Sequence, residues 1–407
     1  MKAISDLTTL RILYSTGPGD VAGTFEHWEL GKDDPSQLSI TYSSQFYDIW
    51  RRLGFHAYVI SPAKRVRNVS RPRMTIVQRP IPWRKAHGLR YHLGRLLFAC
   101  RLIHAALRFR ADIAIVTSGT HWFLLSILPF LGIKTIPSLH TNVCDPNLAV
   151  TRLQNVILVL NRRFFLKRCP ALLCASQAIA SHIVSPAHSS SPSVSVFLPT
   201  YSPHAFAELP RARWDSRPWS ILYAGRLERE KGALDLLSIM DRLVHNHCDA
   251  VLSICGTGTC ESLMRSHVDK RGLMRRVQFH GHVGPVALRK CFAQCHVVIA
   301  PTRTECGEGF NQVPMEAILA GRPVVVSRAC PSLEIVRDAA IEVRPNAIED
   351  YCEAILTLSR DQKLYEQKVD CCVRYREALL GGANSWHAHV ERVLTKLSCD
   401  RYGSAGH

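Results

Sequence analysis

Short, nearly continuous apolar runs alternate along this chain with longer stretches of helical spacing, the order of buried parallel strands joined by helices. In the first half the runs are RILYS, HAYVIS, ADIAIV, IKTIPSLH and ALLCA. In the second they are WSILYA, AVLSIC, VQFHG, HVVIAP, PVVVS and IEVRP. Ile40, Phe46, Tyr47, Ile49, Trp50 and Leu53 fall at helical spacing over residues 38–54, and Gly54 stops that helix. A longer helix is predicted over residues 87–110. Its Leu93, Leu96, Leu97, Cys100, Leu102, Ile103, Ala106 and Leu107 form a broad apolar face, with Arg90, Arg95, Arg101 and Arg108 mainly outside it. That pattern fits either a core helix with a charged flank or a helix lying at an interface. Another helix is predicted over residues 122–131. The apolar window around it, residues 122–133, contains Pro129 and Gly132 and is too short to cross a bilayer.

Strands and helices in two series, with no short-period repeat, predict two doubly wound, Rossmann-like α/β domains facing one another. The Pro- and Arg-rich residues 199–219 read as the linker, with the boundary near residue 200. The expected division is residues 1–200, residues 201–380, and a helix and tail over residues 381–407.

One stretch, residues 301–326, organises the chain: PTRTECGEGFNQVPMEAILAGRPVVV. It reads as the end of a buried strand, a glycine-bearing loop, a short helix and the next strand. A loop that opens a helix presents unpaired backbone N–H groups and the positive end of the helix dipole, a site for a phosphate. Glu308 falls in the loop and Glu316 inside the helix. Two carboxylates flanking an anion are suited to accept hydrogen bonds from hydroxyls at either end of a diphosphate, those of a sugar and a ribose. The plain alternative is a first-turn acid and a solvated one.

The phrase EGFNQVPMEAILAGRPVV resembles the signature of retaining glycosyltransferases of family 4, enzymes of the two-domain GT-B fold that carry an E-x7-E pair in this setting. The Glu spacing, Gly309 and Phe310 after the first Glu, the Glu-Ala pair and the Ala-Gly-x-Pro-Val-Val strand entry all fall in frame. Asn311 and Gln312 depart from the commoner small-residue and Leu-Pro version. The resemblance is strong over about residues 218–397 and weak before about residue 130. It implies a GT-B fold whose last helix, within NSWHAHVERVLTKL, crosses back onto the N-terminal domain. It also implies an acceptor-binding N-terminal domain and a nucleotide-sugar-binding C-terminal one.

Further residues follow from the same resemblance. Arg226 and Lys231 stand in G-R-x-x-x-x-K-G, where both cations grip the donor diphosphate; the plain alternative is surface charge. Gly256 lies in the glycine loop after AVLSIC, and His282 or Val283, after VQFHG, is expected to touch the nucleobase. His140 closes a strand at the end where such sheets bind ligands, and the family keeps a histidine near here beside the donor sugar and acceptor; a structural histidine is the other reading. Gly17, Gly19 and Gly23 follow the first strand, but their spacing is off the dinucleotide fingerprint and no helix is expected to open at once. The resemblance places Gly23 in a loop that approaches the donor across the cleft. His27 and Trp28 either line an acceptor pocket or pack.

Charge sharpens the picture. The 407 residues carry a net charge of +18. Residues 1–199 hold 24 Lys and Arg against 9 Asp and Glu, whereas residues 200–407 hold 27 against 24, so the excess belongs to the first half. Residues 51–110 contain 15 basic side chains and no acidic one, interleaved with Trp83, Tyr91, Phe98 and Phe109. Such a face attracts phosphate, anionic lipid or nucleic acid, or is simply solubilising charge. The 15 cysteines show no C-x-x-C pair, which reads as reduced cytosolic thiols. A metal role for Cys291, Cys295 and His296 is weighed against plain burial. No N-terminal signal segment is visible in the first residues.

The expected activity is transfer of a sugar from a nucleoside diphosphate sugar to a hydroxyl acceptor with retention of configuration. No cofactor or metal is expected, because no D-x-D pair occurs and protein cations take the ion's place. Glu308, His140, Arg226 and Lys231 are the expected catalytic set. The resemblance suggests a front-face displacement in which the leaving phosphate deprotonates the acceptor. For partners, an anionic membrane surface and a lipid-linked acceptor for surface polysaccharide are favoured. Nucleic acid is disfavoured, because it would leave Glu308 and Glu316 unexplained. The expected location is cytoplasmic, peripheral on the inner face of the cytoplasmic membrane. A nucleotide-sugar epimerase of the same fold and a non-catalytic nucleotide-sugar-binding protein are the rival readings.

Overall fold

Valine, isoleucine and alanine runs with no polar alternation form strands only where helices cover both faces of a sheet. The computed structural model describes residues 7–83, 88–117, 119–142, 151–183, 192–207, 209–307 and 309–403. Its N-terminal strands are β1 (Arg11–Ser15), β2 (Ser39–Ile40), β3 (His56–Ser61), β4 (Arg67–Arg71), β5 (Met74–Gln78), β6 (Ile113–Val116), β7 (Lys134–Leu139), β8 (Ala171–Cys174) and β9 (Ser193–Val196). All but β2 form a sheet of order β4-β5-β3-β1-β6-β7-β8-β9, parallel except for the β4–β5 hairpin at its edge. After β10 (Thr200–Tyr201), which pairs with β2, come β11 (Trp219–Ala224), β12 (Ala250–Cys255), β13 (Val277–Gly281), β14 (Val297–Ala300), β15 (Val324–Ser327) and β16 (Ala340–Val343). Their order is β13-β12-β11-β14-β15-β16, all parallel. Every residue of β6, β14 and β15 is buried.

Both sheets reverse direction beside their first strand, at β1/β6 and at β11/β14. Loops leaving the carboxyl ends of the two strands at such a point part company and open a crevice. Two doubly wound α/β domains are what the sequence pattern predicts.

The helix Trp386–Gly403 joins the N-terminal core, where Trp386, Val390 and Leu394 are fully buried. The Trp386 indole N–H donates to Ser138 Oγ (2.9 Å), the His387 N–H to Gln45 Oε1 (3.0 Å), and Lys134 Nζ to the Leu397 carbonyl (3.0 Å). Beside this crossing the chain passes between the halves a second time, and the Leu198 N–H donates to the Asn384 carbonyl (2.8 Å).

Three elements differ from expectation. The β4–β5 hairpin lies in the basic segment, where only charge was read. The capped helix Arg152–Arg168 was missed, although Thr151 and Gln154 form a capping box. The helix Leu89–Phe109 buries Phe98, Leu102 and Ala106, but leaves Leu93, Leu96, Leu97 and Leu107 exposed. Gly94 explains which face turns inward, since a Cβ there would stand 2.4 Å from the Pro82 carbonyl oxygen. The backbone presses inward along the line of Gly94, Phe98, Leu102 and Ala105, and the neighbouring leucines are left outside. The helix thus packs on the core along that line and leaves part of the expected apolar face exposed.

Replacing Trp386 by Ala removes a fully buried side chain and its hydrogen bond. The unfolding free energy should fall by about 3–5 kcal/mol, measured by urea titration; a change below about 1 kcal/mol would show that the last helix adds little to the N-terminal core.

Candidate functional site

The carboxyl ends of β11 and β14 enclose a cavity of about 210 Å³ lined by Gly225, Arg226, Lys231, Pro301, Thr302, Asn311 and Val313, among others. That is below the roughly 300 Å³ at which pockets for whole small molecules begin. It has room for a phosphate-sized part of a ligand whose remainder lies in the open crevice. The loop after β11 is stitched to the loop after β14 by the Arg303 N–H, which donates to the Glu230 carbonyl (3.0 Å). Arg303 itself is held by Asp235 (2.9 and 3.0 Å) and Glu305 (2.7 Å). Among the described residues Arg226, by contrast, is exposed and makes one long salt-bridge contact, of 3.8 Å, with Glu230. Its charge therefore remains available to the cavity, while that of Arg303 is neutralised.

The helix Val313–Leu319 begins at the cavity. Asn311 Oδ1 accepts the Val313 N–H (3.1 Å), so its carboxamide oxygen caps the helix. The main-chain N–H groups of residues 309–312 donate to none of the described residues. Four residues in, Glu316 is buried, and no described residue donates a hydrogen bond to its carboxylate. Burial pushes its pKa from 4.5 up to about 7. The alternative of a solvated acid is thereby set aside. Tyr201, from the linker, lies near enough to feel the Glu316 charge, and its buried hydroxyl has no partner among the described residues. Glu308 lies outside the described residues.

Gly309 and Phe310 carry the loop to the other half. A Cβ on Gly309 would stand 2.5 Å from the His140 carbonyl oxygen and 2.7 Å from Thr141 Cα, so only glycine fits there. Phe310 packs against the cores of both halves. The His140 ring sits against Tyr42 (4.4 Å between centroids) and Phe197 (5.2 Å), and burial lowers its pKa to about 4. Ser138 Oγ, which accepts the Trp386 indole proton, is 3.0 Å from His140 Nε2. A buried hydroxyl that accepts from the indole can give its own proton to Nε2. That arrangement keeps the ring's remaining proton on Nδ1.

The structure thus brings Arg226, Lys231 and Asn311 together around the cavity, sets Glu316 behind it, and joins Gly309 and Phe310 to His140. Other expected residues are placed differently. The helix Val21–Glu29 opens directly after the first strand, and Gly23 is inside its first turn rather than in a loop. Asp20 Oδ1 takes the Gly23 N–H (3.1 Å) and Gln78 Oε1 takes that of Ala22 (2.6 Å), so protein side chains already fill this helix terminus. The Gly256 N–H donates to the Gly281 carbonyl (2.7 Å), within the sheet's own loops. His282 and Val283 follow β13, two strands from β11 and roughly 10 Å to its side. Trp28 packs on Phe25, Tyr47 and Trp50 and donates to Asp48 Oδ1 (2.8 Å), the packing alternative. His296 is engaged by Ser216 and Ser220 and stacks on Trp219. Among the described residues no group of His, Cys, Asp and Glu could hold a metal ion. Sequence reading missed Ser138 and Trp386, which meet across 248 positions, and Tyr201, which lies near Glu316.

This architecture has known counterparts. A trehalose 6-phosphate synthase from Burkholderia multivorans superposes with a TM-score of 0.75 at 12% identity, covering 98% of this chain and 99% of that one. The fold is GT-B. An Anabaena protein, HepE, whose structure holds UDP and glucose, superposes with a TM-score of 0.62 at 14% identity, covering 97% and 100%. Residues 207–370 match the family model for glycosyl transferases group 1. A glycogen synthase from Mycobacterium tuberculosis is 33% identical over 110 residues, which are 27% of this chain. The chain spans only 26% of the length of that curated relative.

The buried Glu316 carboxyl sets a stability test. In the unfolded chain it ionises near 4.5 and in the fold near 7, so the fold loses stability as pH rises through that interval and remains at the lower level above it. Without donor, Glu316→Gln should raise Tm at pH 8 and leave it unchanged at pH 4. A Tm difference independent of pH would contradict the burial of an ionisable group there.

Proposed function

We propose that this protein is a retaining, metal-independent glycosyltransferase of family 4, carrying the E-x7-E pair as Glu308 and Glu316. It moves a sugar from a nucleoside diphosphate sugar to a hydroxyl acceptor. The observation that carries this reading is the cavity at the β11/β14 reversal, lined by Arg226, Lys231 and Asn311 where the helix Val313–Leu319 begins. Charge grows on the departing diphosphate as the glycosidic bond breaks, and fixed cations and amides aimed at that charge are the most useful catalyst. Glu308 orients the sugar hydroxyls and Glu316 the ribose. A hydroxyl donating to Glu316 favours its ionised form, so donor binding draws its pKa back down. Neutral His140 sits where the two halves meet and donates from Nδ1 to the sugar or the acceptor. The nucleobase lies toward His282 and Val283, beyond the phosphate cavity. Gly23 and Gly256 shape the cleft walls without donating to the diphosphate. The group 1 match, and relatives that include a glycogen synthase and a UDP- and glucose-bound structure, support the donor class.

The acceptor is a lipid-linked precursor of surface polysaccharide, and the enzyme works in the cytoplasm, peripheral on the inner face of the cytoplasmic membrane. The excess positive charge of the first half supports this part of the reading.

A panel of nucleoside diphosphate sugars, scored for nucleoside diphosphate release with and without lipid extract, tests the activity. One donor should turn over, and chelation of divalent ions should leave its rate unchanged. Lys231→Ala should lower kcat by roughly 10²–10³-fold, and Glu308→Gln by a comparable or larger factor. Glu316→Gln should mainly raise the donor Kd. Unchanged rates in all three variants would remove the assigned roles, and release of an altered nucleotide sugar without acceptor would mark an epimerase.

A further inference from the structure

In a doubly wound sheet each helix starts at the carboxyl end of the strand before it, on the side of the crevice. The helix Leu89–Phe109 follows β5, and the helix Arg152–Arg168 follows β7. Both connections run in the same sense across the sheet, β5 to β6 and β7 to β8, so right-handed crossovers put both helices on one face. The turn Trp122–Ser126 joins them there. His92 Nδ1 is 2.9 Å from His121 Nε2, and the Phe123 N–H donates to Asn161 Oδ1 (3.0 Å).

The first turns of these helices show apolar side chains to water. Leu89 is 84% exposed, Leu93 41% and Leu97 37%; on the second helix Leu153 is 59% exposed, Val156 55% and Leu160 37%. Leu153, Val156 and Leu160 recur at helical spacing on one stripe, which Arg163 and Lys167 continue. Single exposed leucines need no explanation, but clusters on adjacent elements do. The charge around them decides what covers them. Between Asp48 and Glu208 the chain has 21 Lys and Arg and only two acids, Asp112 and Asp145. A second copy of the chain would bring two faces of the same sign together. An anionic bilayer offers the opposite sign at its surface and an apolar layer beneath it. No helix among the described residues is long and apolar enough to cross a membrane, so attachment must be by a face.

We infer that the first turns of Leu89–Phe109 and Arg152–Arg168 insert together into the headgroup layer of an anionic bilayer. The surrounding arginines pair with lipid phosphates, and the mouth of the crevice is held against the membrane. This specifies the membrane part of the proposed function, and it can fail or stand separately from sugar transfer, because vesicle binding needs no donor.

Flotation with phosphatidylcholine vesicles, and with vesicles that also contain phosphatidylglycerol, tests it. The protein should float with the mixed vesicles and not with the neutral ones. The double substitutions Leu93→Ser with Leu97→Ser, and Leu153→Ser with Val156→Ser, should each weaken partitioning at least about tenfold. Both should leave Tm and donor turnover in vesicle-free solution unchanged. Raising the salt should release the variants fully but only part of the wild-type protein. The inference is overturned if the wild-type protein ignores mixed vesicles, if the variants float equally well, if salt alone releases everything, or if the face proves to hold a dimer that the variants dissociate.

Discussion

The candidate site depends on one missing Cβ. At Gly309 the loop after β14 runs under the His140 carbonyl so closely that a side-chain carbon would meet main-chain atoms of His140 and Thr141, which cannot swing aside. Phe310 then enters both cores, Asn311 caps the next helix, and that helix carries Glu316 into its buried position. The other side of the His140 ring answers to the chain's last helix through Ser138 and Trp386. Two segments of the C-terminal half thus hold a histidine of the N-terminal half. The distance between the two cleft walls is set by packing rather than by charge.

Burial acts on both titratable groups in the same direction, toward neutrality. His140 is lowered to about 4 and Glu316 raised to about 7. Near neutral pH His140 is therefore uncharged and Glu316 only partly ionised. Arg303, the third cation nearby, is tied to Asp235 and Glu305. On the proposed reading, the donor diphosphate lies beside Arg226 and Lys231, and the cost of desolvating its charge is offset by donors already in place.

What could be read from the sequence was whatever is local. Apolar runs marked the strands, Gly54 marked a helix end, and the phrase around Glu316 marked the strand–loop–helix unit. The strand orders could not be read, since pairing of β11 with β14 is not written in either segment alone. Gly23 was misplaced because its glycines suggested a loop, whereas Asp20, three residues before it, is a helix cap. The leucines of residues 87–110 fitted either a core or an interfacial helix because periodicity gives a face but not its direction. The close approach at Gly94 chooses the direction, and Pro82, its partner, lies outside the helix. Ser138 and Trp386 are 248 positions apart, beyond any local pattern. Arg322, read only as the variable residue of Ala-Gly-x-Pro, is almost fully buried and donates to the carbonyls of Phe292, Ala293, Ala320 and Pro210, holding the linker to the sheet.

The same topology is used twice with opposite chemistry. A doubly wound sheet turns the first turns of its helices toward the crevice, and each first turn has N–H groups that need partners. In the C-terminal half those around residues 309–312 are left without a described protein acceptor, and two cations stand beside them. In the N-terminal half, Gln78 and Asp20 accept the Ala22 and Gly23 N–H groups of the first such terminus. The outer helices there bear leucines and a valine among arginines over their first three turns instead. On the proposed reading, one wall takes an anion in water and the other a surface that is charged outside and apolar within. Because both chemistries occupy the carboxyl-end side of their sheets, a molecule whose polar head entered the crevice could leave its apolar portion at the rim without crossing either core.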